Sequence, residues 1–435
     1  MLSLLLNILN KTKIFPYFFL TPTPYALGTA AIEIFITLKN LEKKKLIILK
    51  VNILNNFLSY KICNKSLFDN LHNNNLIFKP NIIIKNFIIF FLSIEFFFKR
   101  IFVLFTKFFL KIKYRDFTHF LSIGLPLFIS FRNNLGRNLG KLKFNNIKIR
   151  EKKLKLNIDK NICILLKKKL CDYIFFKNRP YVVLHVRDGN YRNDHKRRSW
   201  RNNNIDNYSQ SVDYLISKGF TVIKIGDKES NKLNYKNKFY FDYSYSELRS
   251  EEMDLYIIKN CNFLMANCSG PEYLALLFSK PILITNSYVI PSLYRSTDRV
   301  FFKKILFKGN EMSIIDYLSL PFEIYFREYN HKEISFIENS QHEILEATKE
   351  FSKLFFSNFT TKPTPIQKKF NNLIYKRSSL FLNHEAPRLK NIDPVANIYL
   401  MKSYKAYFFD CYLKKHFKKF KFLKDIKIKQ LSFLK

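Results

Sequence analysis

The chain predicts an α/β protein built on a doubly wound parallel sheet, and three observations carry that expectation. Residues 181–285 alternate short β-branched or apolar runs with segments of helical spacing, as strands joined by crossover helices do. The run Tyr181-Val182-Val183-Leu184-His185-Val186 is nearly all apolar, which marks a strand buried on both faces. That run stops abruptly in charge: His185, Arg187, Asp188 and Arg192 cluster around Gly189 at the carboxyl end of the strand, where open parallel sheets hold their ligands.

With 435 residues the chain exceeds one ordinary core, so two units plus extensions are expected. We divide it into 1–178, 179–340, a helix at 341–360 and a basic extension at 361–435. Hydrophobic residues make up 47%, so burial is not limiting. The formal net charge is +40, from 74 Lys and Arg against 34 Asp and Glu, and it reflects both anionic partners and a Lys-, Asn-, Ile- and Phe-rich composition. Six Cys with no Cys-x-x-Cys pair argue against a zinc site or a disulfide framework, so a reducing, cytoplasmic setting is expected. The apolar residues 1–10 lack a basic flank and a cleavage site and read as a poor signal peptide.

In chain order, Ile14–Leu20 reads as a strand closed by Thr21-Pro22-Thr23-Pro24. Gly28-Thr29-Ala30-Ala31-Ile32-Glu33 then opens a helix through Leu41, and Lys45–Val51 is a second strand. Gly28 stands alone, so this loop is no dinucleotide fingerprint and reads as the rim of a cleft, with Gly28 and Thr29 on it. Residues 81–113 are very apolar but are interrupted by Glu95, Lys99, Arg100 and Lys107, too soon for a spanning helix of about 20 residues. Core packing is the expectation there, with a helix lying in a membrane interface as the alternative. Residues 132–179 link the halves and include a helix near Ile162–Phe176.

Beyond the first buried strand, Tyr208–Ser217 has helical spacing, Gly219 stops it, and Phe220–Ile225 is a strand ending at Gly226-Asp227. Tyr240–Tyr243 is a third strand, and Ser246–Lys259 a helix with Glu251, Glu252 and Asp254 near its favourable end. Asn262–Ala266, a helix at Tyr273–Phe278 and the strand Pro281–Thr285 complete the array. The motif Asn267-Cys268-Ser269-Gly270-Pro271-Glu272 predicts a helix N-terminus with Ser269 as N-cap, suited to a phosphate, although an ordinary capped helix would look the same. No phosphate-loop sequence and no Asp-x-Asp after a strand occur, so an anion handled by cationic side chains without a metal is expected, most economically a nucleotide diphosphate.

These residues carry a resemblance. His185-Val186-Arg187-Asp188, Tyr191-Arg192-Asn193, Arg201-Asn202, Gly219 to Gly226, Asp254, Cys261, Ser269-Gly270-Pro271, Lys280-Pro281 and Thr285-Asn286 together resemble a bacterial group of glycosyltransferases. That group is similar in turn to the fucosyltransferase-like branch of the GT-B fold. The resemblance implies two Rossmann-like domains facing a cleft, with the nucleotide-sugar donor in the second, the acceptor on the first, the helix at 341–360 crossing back to the first, and no metal or other cofactor. Asp188-Gly189 departs from the pattern of eukaryotic O-fucosyltransferases, so the donor sugar does not carry over. Residue by residue, it implies that His185, Arg187, Tyr191, Arg192, Gly226, Ser269, Gly270 and Glu272 bind the donor. Arg187 would neutralise the leaving phosphate, with Asp188 or Glu33 taking the acceptor proton and Gly28 and Thr29 on the acceptor side.

The implied acceptor is a hydroxyl of a surface polysaccharide, glycoconjugate or lipid-linked glycan. Residues 402–435 hold 11 Lys and two Asp with aromatic residues interleaved, which fits either a solvated extension or a tail bound to an anionic membrane, making the protein peripheral on the inner face. Two other classes compete. A nucleic-acid binder would use the charge, but the Lys are dispersed and no recognised module is present, so no nucleic acid is expected. A membrane-surface scaffold without catalysis would use residues 87–110 and the tail. Neither explains the charges at 185–192.

Overall fold

The computed structural model describes residues 2–22, 26–41, 44–51, 63–72, 75–109, 154, 156–173, 179–190, 199–288, 297–312, 334–356, 363–372 and 407–408. Tyr191, Arg192, residues 110–153 and the basic tail beyond 408 lie outside them.

The first unit runs α1 (Leu2–Lys11), β1 (Tyr17–Leu20), α2 (Leu27–Asn40), β2 (Lys45–Ile48), α3 (Ser66–Asp69), β3 (Leu71–His72), α4 (Ile82–Phe109), β4 (Asn157–Ile158) and α5 (Lys160–Tyr173). β1 and β2 pair in parallel across the α2 crossover, in the order anticipated, and Ile77 bridges Leu46 in parallel. The second unit runs β5 (Tyr181–His185), α6 (Ser209–Ser217), β6 (Thr221–Ile225), β7 (Tyr240–Asp242), α7 (Glu251–Asn260), β8 (Phe263–Ala266), α8 (Gly270–Leu277) and β9 (Ile282–Ser287). It continues with β10 (Arg299–Phe302), β11 (Lys304–Phe307), β12 (Asn310–Met312), β13 (Ile334–Ile337), α9 (Gln341–Phe356) and β14 (Tyr407–Phe408).

Seven strands form one sheet in the order β14-β10-β9-β8-β5-β6-β7, and every neighbouring pair is parallel. The chain enters at β5, steps outward to β6 and β7, then returns to β8 on the other side of β5 and continues to β9 and β10. The boundary between β5 and β8 is therefore the point where the winding reverses, and the loops that follow those two strands diverge there.

Both faces of the sheet are covered, which is why its strands are apolar without alternation. Val182, Leu184, Val222, Met265 and Leu283 pack on one face with Val212 and Leu215 of α6 and with Ile344, Ala347 and Phe351 of α9. Val183, Ile223, Leu264 and Ile282 face the other way into a core shared with α7, α8, α5 and α2. Helix α9 was expected to cross back to the first unit. Its described residues instead cover the sheet of their own unit: Thr348 donates to Ser211 at 3.1 Å and Phe351 meets Phe263 edge-on at 5.0 Å. Without α9 this face would be open to water.

The two units share a core, and the closest approach is between α2 and α8. A Cβ on Gly28 would stand 2.9 Å from the Gly270 Cα and 2.9 Å from the Tyr273 ring, and one on Gly270 would stand 3.3 Å from the Gly28 nitrogen. The position expected to rim a cleft is thus a helix-to-helix contact, and Thr29 is half-buried in the first turn of α2.

Helix α4 departs furthest from expectation. Core packing was anticipated, yet only Leu92 and Phe96 of its described side chains are fully buried, at 0% and 1% exposure. Among the described residues its partners are α1 and the back of β1 and β2, which cover one side of the helix. No described helix is long and apolar enough to cross a membrane.

Because the atom facing Gly28 is backbone, which cannot rotate away, Gly28→Ala should cost about 1–3 kcal/mol. Urea unfolding should show a lower midpoint with an unchanged slope, and an unchanged midpoint would mean that α2 and α8 can separate at no cost.

Candidate functional site

The carboxyl edge of the sheet is organised by Asn267, fully buried just after β8. Its Oδ1 accepts the Arg187 backbone N–H at 3.1 Å, and its Nδ2 donates to the carbonyls of Arg187 and Arg201, each at 3.4 Å. One side chain thereby ties together the two loops that diverge at the switch point. The Asn203 N–H closes the same turn onto the Arg187 carbonyl at 2.8 Å.

Gly189 adopts φ +90°, and a Cβ there would fall 2.3 Å from the Asn202 amide nitrogen. Only glycine lets Asn202 in. Seated there, Asn202 receives two cations: the Arg187 guanidinium donates to its Oδ1, and the Lys303 ammonium donates to its carbonyl at 2.9 Å. Arg201 extends to the Cys268 carbonyl at 3.0 Å. Three cationic side chains from the β5 loop, the segment before α6 and the end of β10 thus meet at the switch point. Lys303 is 3% exposed, and burial pushes its pKa down to about 8, with Arg187 acting in the same direction and Glu338 opposing.

His185, the last residue of β5, faces Ser269. Its Nδ1 lies 3.3 Å from the Ile225 carbonyl, which can only accept, so Nδ1 carries the proton and Nε2 accepts from the Ser269 hydroxyl at 2.8 Å. Desolvation lowers the His185 pKa to about 4, so the ring is neutral at pH 7. Ser269 was expected to cap α8 with its hydroxyl. It occupies the N-cap position, but its side chain makes no capping bond, because the imidazole takes the hydroxyl instead.

Glu272 lies in the first turn of α8 and is 2% exposed. Burial raises its pKa to about 8, against the pull of Arg201 and hydrogen bonds from Tyr273 and Ser269. Among the described residues its Oε2 has no hydrogen-bond partner, and neither has the Nε of Arg201. At neutral pH Glu272 therefore holds its proton and does not neutralise the three cations. Glu338, which attracts Lys303, accepts the Asn204 N–H at 2.8 Å.

Of the other anticipated residues, Asp188 uses both carboxylate oxygens on backbone N–H groups, of Asn190 and of Asn231, and so staples the β5 loop to the β6 loop. Gly226 ends β6, where a Cβ would stand 2.6 Å from the Ser230 hydroxyl. Glu33 is 3% exposed within α2, so it stands in the helix layer and not on an open wall. Tyr191 and Arg192 lie outside the described residues. Lys303 and Asn267 were missed as site residues, and Arg201 was noted only within the resemblance. Lys303 had a signal: it follows the buried run Val300-Phe301-Phe302 as Arg187 follows Tyr181–Val186. No group of acidic, His or Cys side chains among the described residues is placed to hold a metal ion.

Burial of Glu272 has a readable pH signature. Its carboxyl titrates near 8 in the fold and at an ordinary 4.5 when unfolded, so the cost of ionising it in place mounts as pH rises from 4.5 to 8. Glu272→Gln should therefore gain stability relative to the native chain over that window, by up to about 1.4 kcal/mol per pH unit, and level off above it. Urea midpoints of both proteins across this range would show it, and a constant difference would mean that Glu272 is already ionised.

No protein family matches the chain, and no curated protein matches it. Among solved structures, the chain shows a likeness to the dodecameric iron-containing heptosyltransferase TibC in complex with ADP-D-β-D-heptose, at 16% identity and a TM-score of 0.19. The alignment spans 48% of this chain and 48% of that one. A TM-score this low carries no weight for fold or function.

Proposed function

We propose that this protein is a glycosyltransferase of GT-B type that moves a sugar from a nucleotide-sugar donor to an acceptor hydroxyl without a metal. The observation that carries the reading is the convergence of Arg187, Arg201 and Lys303 at the switch point of a parallel sheet, beside a carboxyl kept neutral. Buried Lys303 and half-buried Arg187 and Arg201, brought together at one point, favour an anion, and a diphosphate spans several donors at once. The N-terminus of α8 adds backbone N–H groups and the positive end of its dipole. Since Ser269 gives its hydroxyl proton to His185, the motif offers the anion its backbone more than its side chain.

In the transfer, the acceptor oxygen forms a bond to the anomeric carbon as the bond from that carbon to the diphosphate oxygen breaks. The electron pair leaves with the diphosphate, where Arg187, Arg201 and Lys303 stabilise the growing charge. The acceptor proton must go to a base. Asp188 is committed to two loops and Glu33 to the helix layer. Glu272, with a pKa raised to about 8 and an oxygen not otherwise engaged among the described residues, can take it only in its ionised form, a minority at pH 7 that grows as pH rises toward 8.

A panel of nucleoside diphosphates in a thermal-shift assay tests this reading. At least one should raise the melting temperature, as a ligand at 100 times its Kd adds about 2.7 kcal/mol, and EDTA should leave that protection intact. Arg187→Ala should abolish it. Affinity should fall as pH rises through about 8, where Lys303 loses its charge and Glu272 gains one, and Lys303→Gln should bind more weakly and lose part of that pH dependence. If no diphosphate protects the native chain while oligonucleotides bind with steep salt dependence, the protein is a nucleic-acid binder instead.

A further inference from the structure

We infer that the outer face of α4 is a docking surface for an anionic lipid bilayer. The 28 residues of α4 extend about 42 Å. Along it, Phe87, Phe91, Ile94, Phe98, Phe105 and Phe109 recur at steps of three, four and seven residues and so share one side of the helix. They are 39–64% exposed. Their rings form a ridge: Phe87 lies against Phe91 at 4.6 Å and Phe105 against Phe109 at 4.5 Å. At roughly 200 Å² per Phe, this face exceeds the few hundred Å² of apolar patch that a soluble monomer ordinarily shows.

Lys85, Glu95 and Lys99 of α4 are engaged with neighbouring groups of the unit. Lys85 pairs with Asp69 at 3.2 Å, and Glu95 pairs with Lys99 at 2.8 Å and binds Ser3 of α1. Beside it, α1 exposes Leu4, Leu5 and Ile8, which widens the apolar surface.

Charge identifies the occupant. Residues 1–109 hold 14 Lys and Arg against four Asp and Glu. Of those acids, Glu33 is buried, Asp69 lies between Lys50 and Lys85, Glu95 is paired, and Glu42 lies outside the described residues. The stretch that carries the apolar face thus has an excess of ten positive charges, and an anionic bilayer complements both its charge and its exposed rings. A second copy of the chain would bring an equally cationic surface against it. Residues 110–153, with 11 Lys and Arg against two acids, share the same sign. Docking on α4 leaves the switch point clear, because α4 packs behind β1 and β2 while α2 lies toward α8.

The test is co-sedimentation of the full chain with phosphatidylcholine vesicles and with vesicles containing phosphatidylglycerol. The native protein should favour the anionic vesicles. A Phe91→Glu, Phe98→Glu, Phe105→Glu triple variant should lose binding at least about tenfold, with unchanged circular dichroism and melting temperature because these side chains are exposed. A full-length variant with Lys414, Lys415, Lys418, Lys419 and Lys421 changed to Glu should keep most of its binding. Three results would overturn the inference: no binding by the native chain, binding lost in the lysine variant but kept in the phenylalanine variant, or a native dimer in light scattering that the phenylalanine variant dissolves.

Discussion

The structure depends on the reversal of winding between β5 and β8. Where two neighbouring parallel strands send their loops in opposite directions, backbone groups are left at the sheet edge with no strand to pair with. Asn267 satisfies them, accepting from one backbone N–H and donating to two carbonyls. The positions of the two arginines at the site follow from that bridge. Arg187 and Arg201 sit on the segments it holds, and Asn202, lodged against Gly189, gives Arg187 and Lys303 a common partner.

The same edge shows how a buried site retains positive charge. His185 and Glu272 are both ionisable, yet burial drives them in opposite directions to the same result, a neutral side chain at pH 7. The hydrogen bond from Ser269 fixes the imidazole, and α8 presents its N-terminus without the usual side-chain cap. Local positive charge here arises from geometry, whereas the +40 of the whole chain is dispersed and has no bearing on it.

The first unit is held to the second by close helix packing. Two glycines permit α2 to lie on α8, so the small parallel pair β1–β2 is attached to the sheet through a shared helical layer. Among the described residues α4 is covered on one side by α1, β1 and β2, and its other side is exposed. A soluble fold would ordinarily replace its outer phenylalanines with polar residues. Their presence in residues 1–109, with an excess of ten positive charges, is what assigns α4 to the bilayer.

The sequence by itself determined the parallel array: the largely apolar runs at 181–186, 220–225 and 262–266, short and separated by segments of helical spacing, read as strands covered on both faces, and the chemistry of His185, Arg187 and Ser269 at their ends was visible with them. It also determined α2 and its flanking strands, because periodicity is local. It could not determine partners. Ser269 has the residue type and position of a helix cap, but an imidazole 84 residues away takes its hydroxyl. Asp188 looked like a base until the β6 loop was folded onto it. Lys303 joins Arg187 only because β10 is placed two strands beyond β8. For α4 the apolar composition was plain, but whether those side chains face a core or the outside depends on how many elements come to cover them. That is decided by tertiary packing, since burial is a property of neighbours and not of the residue.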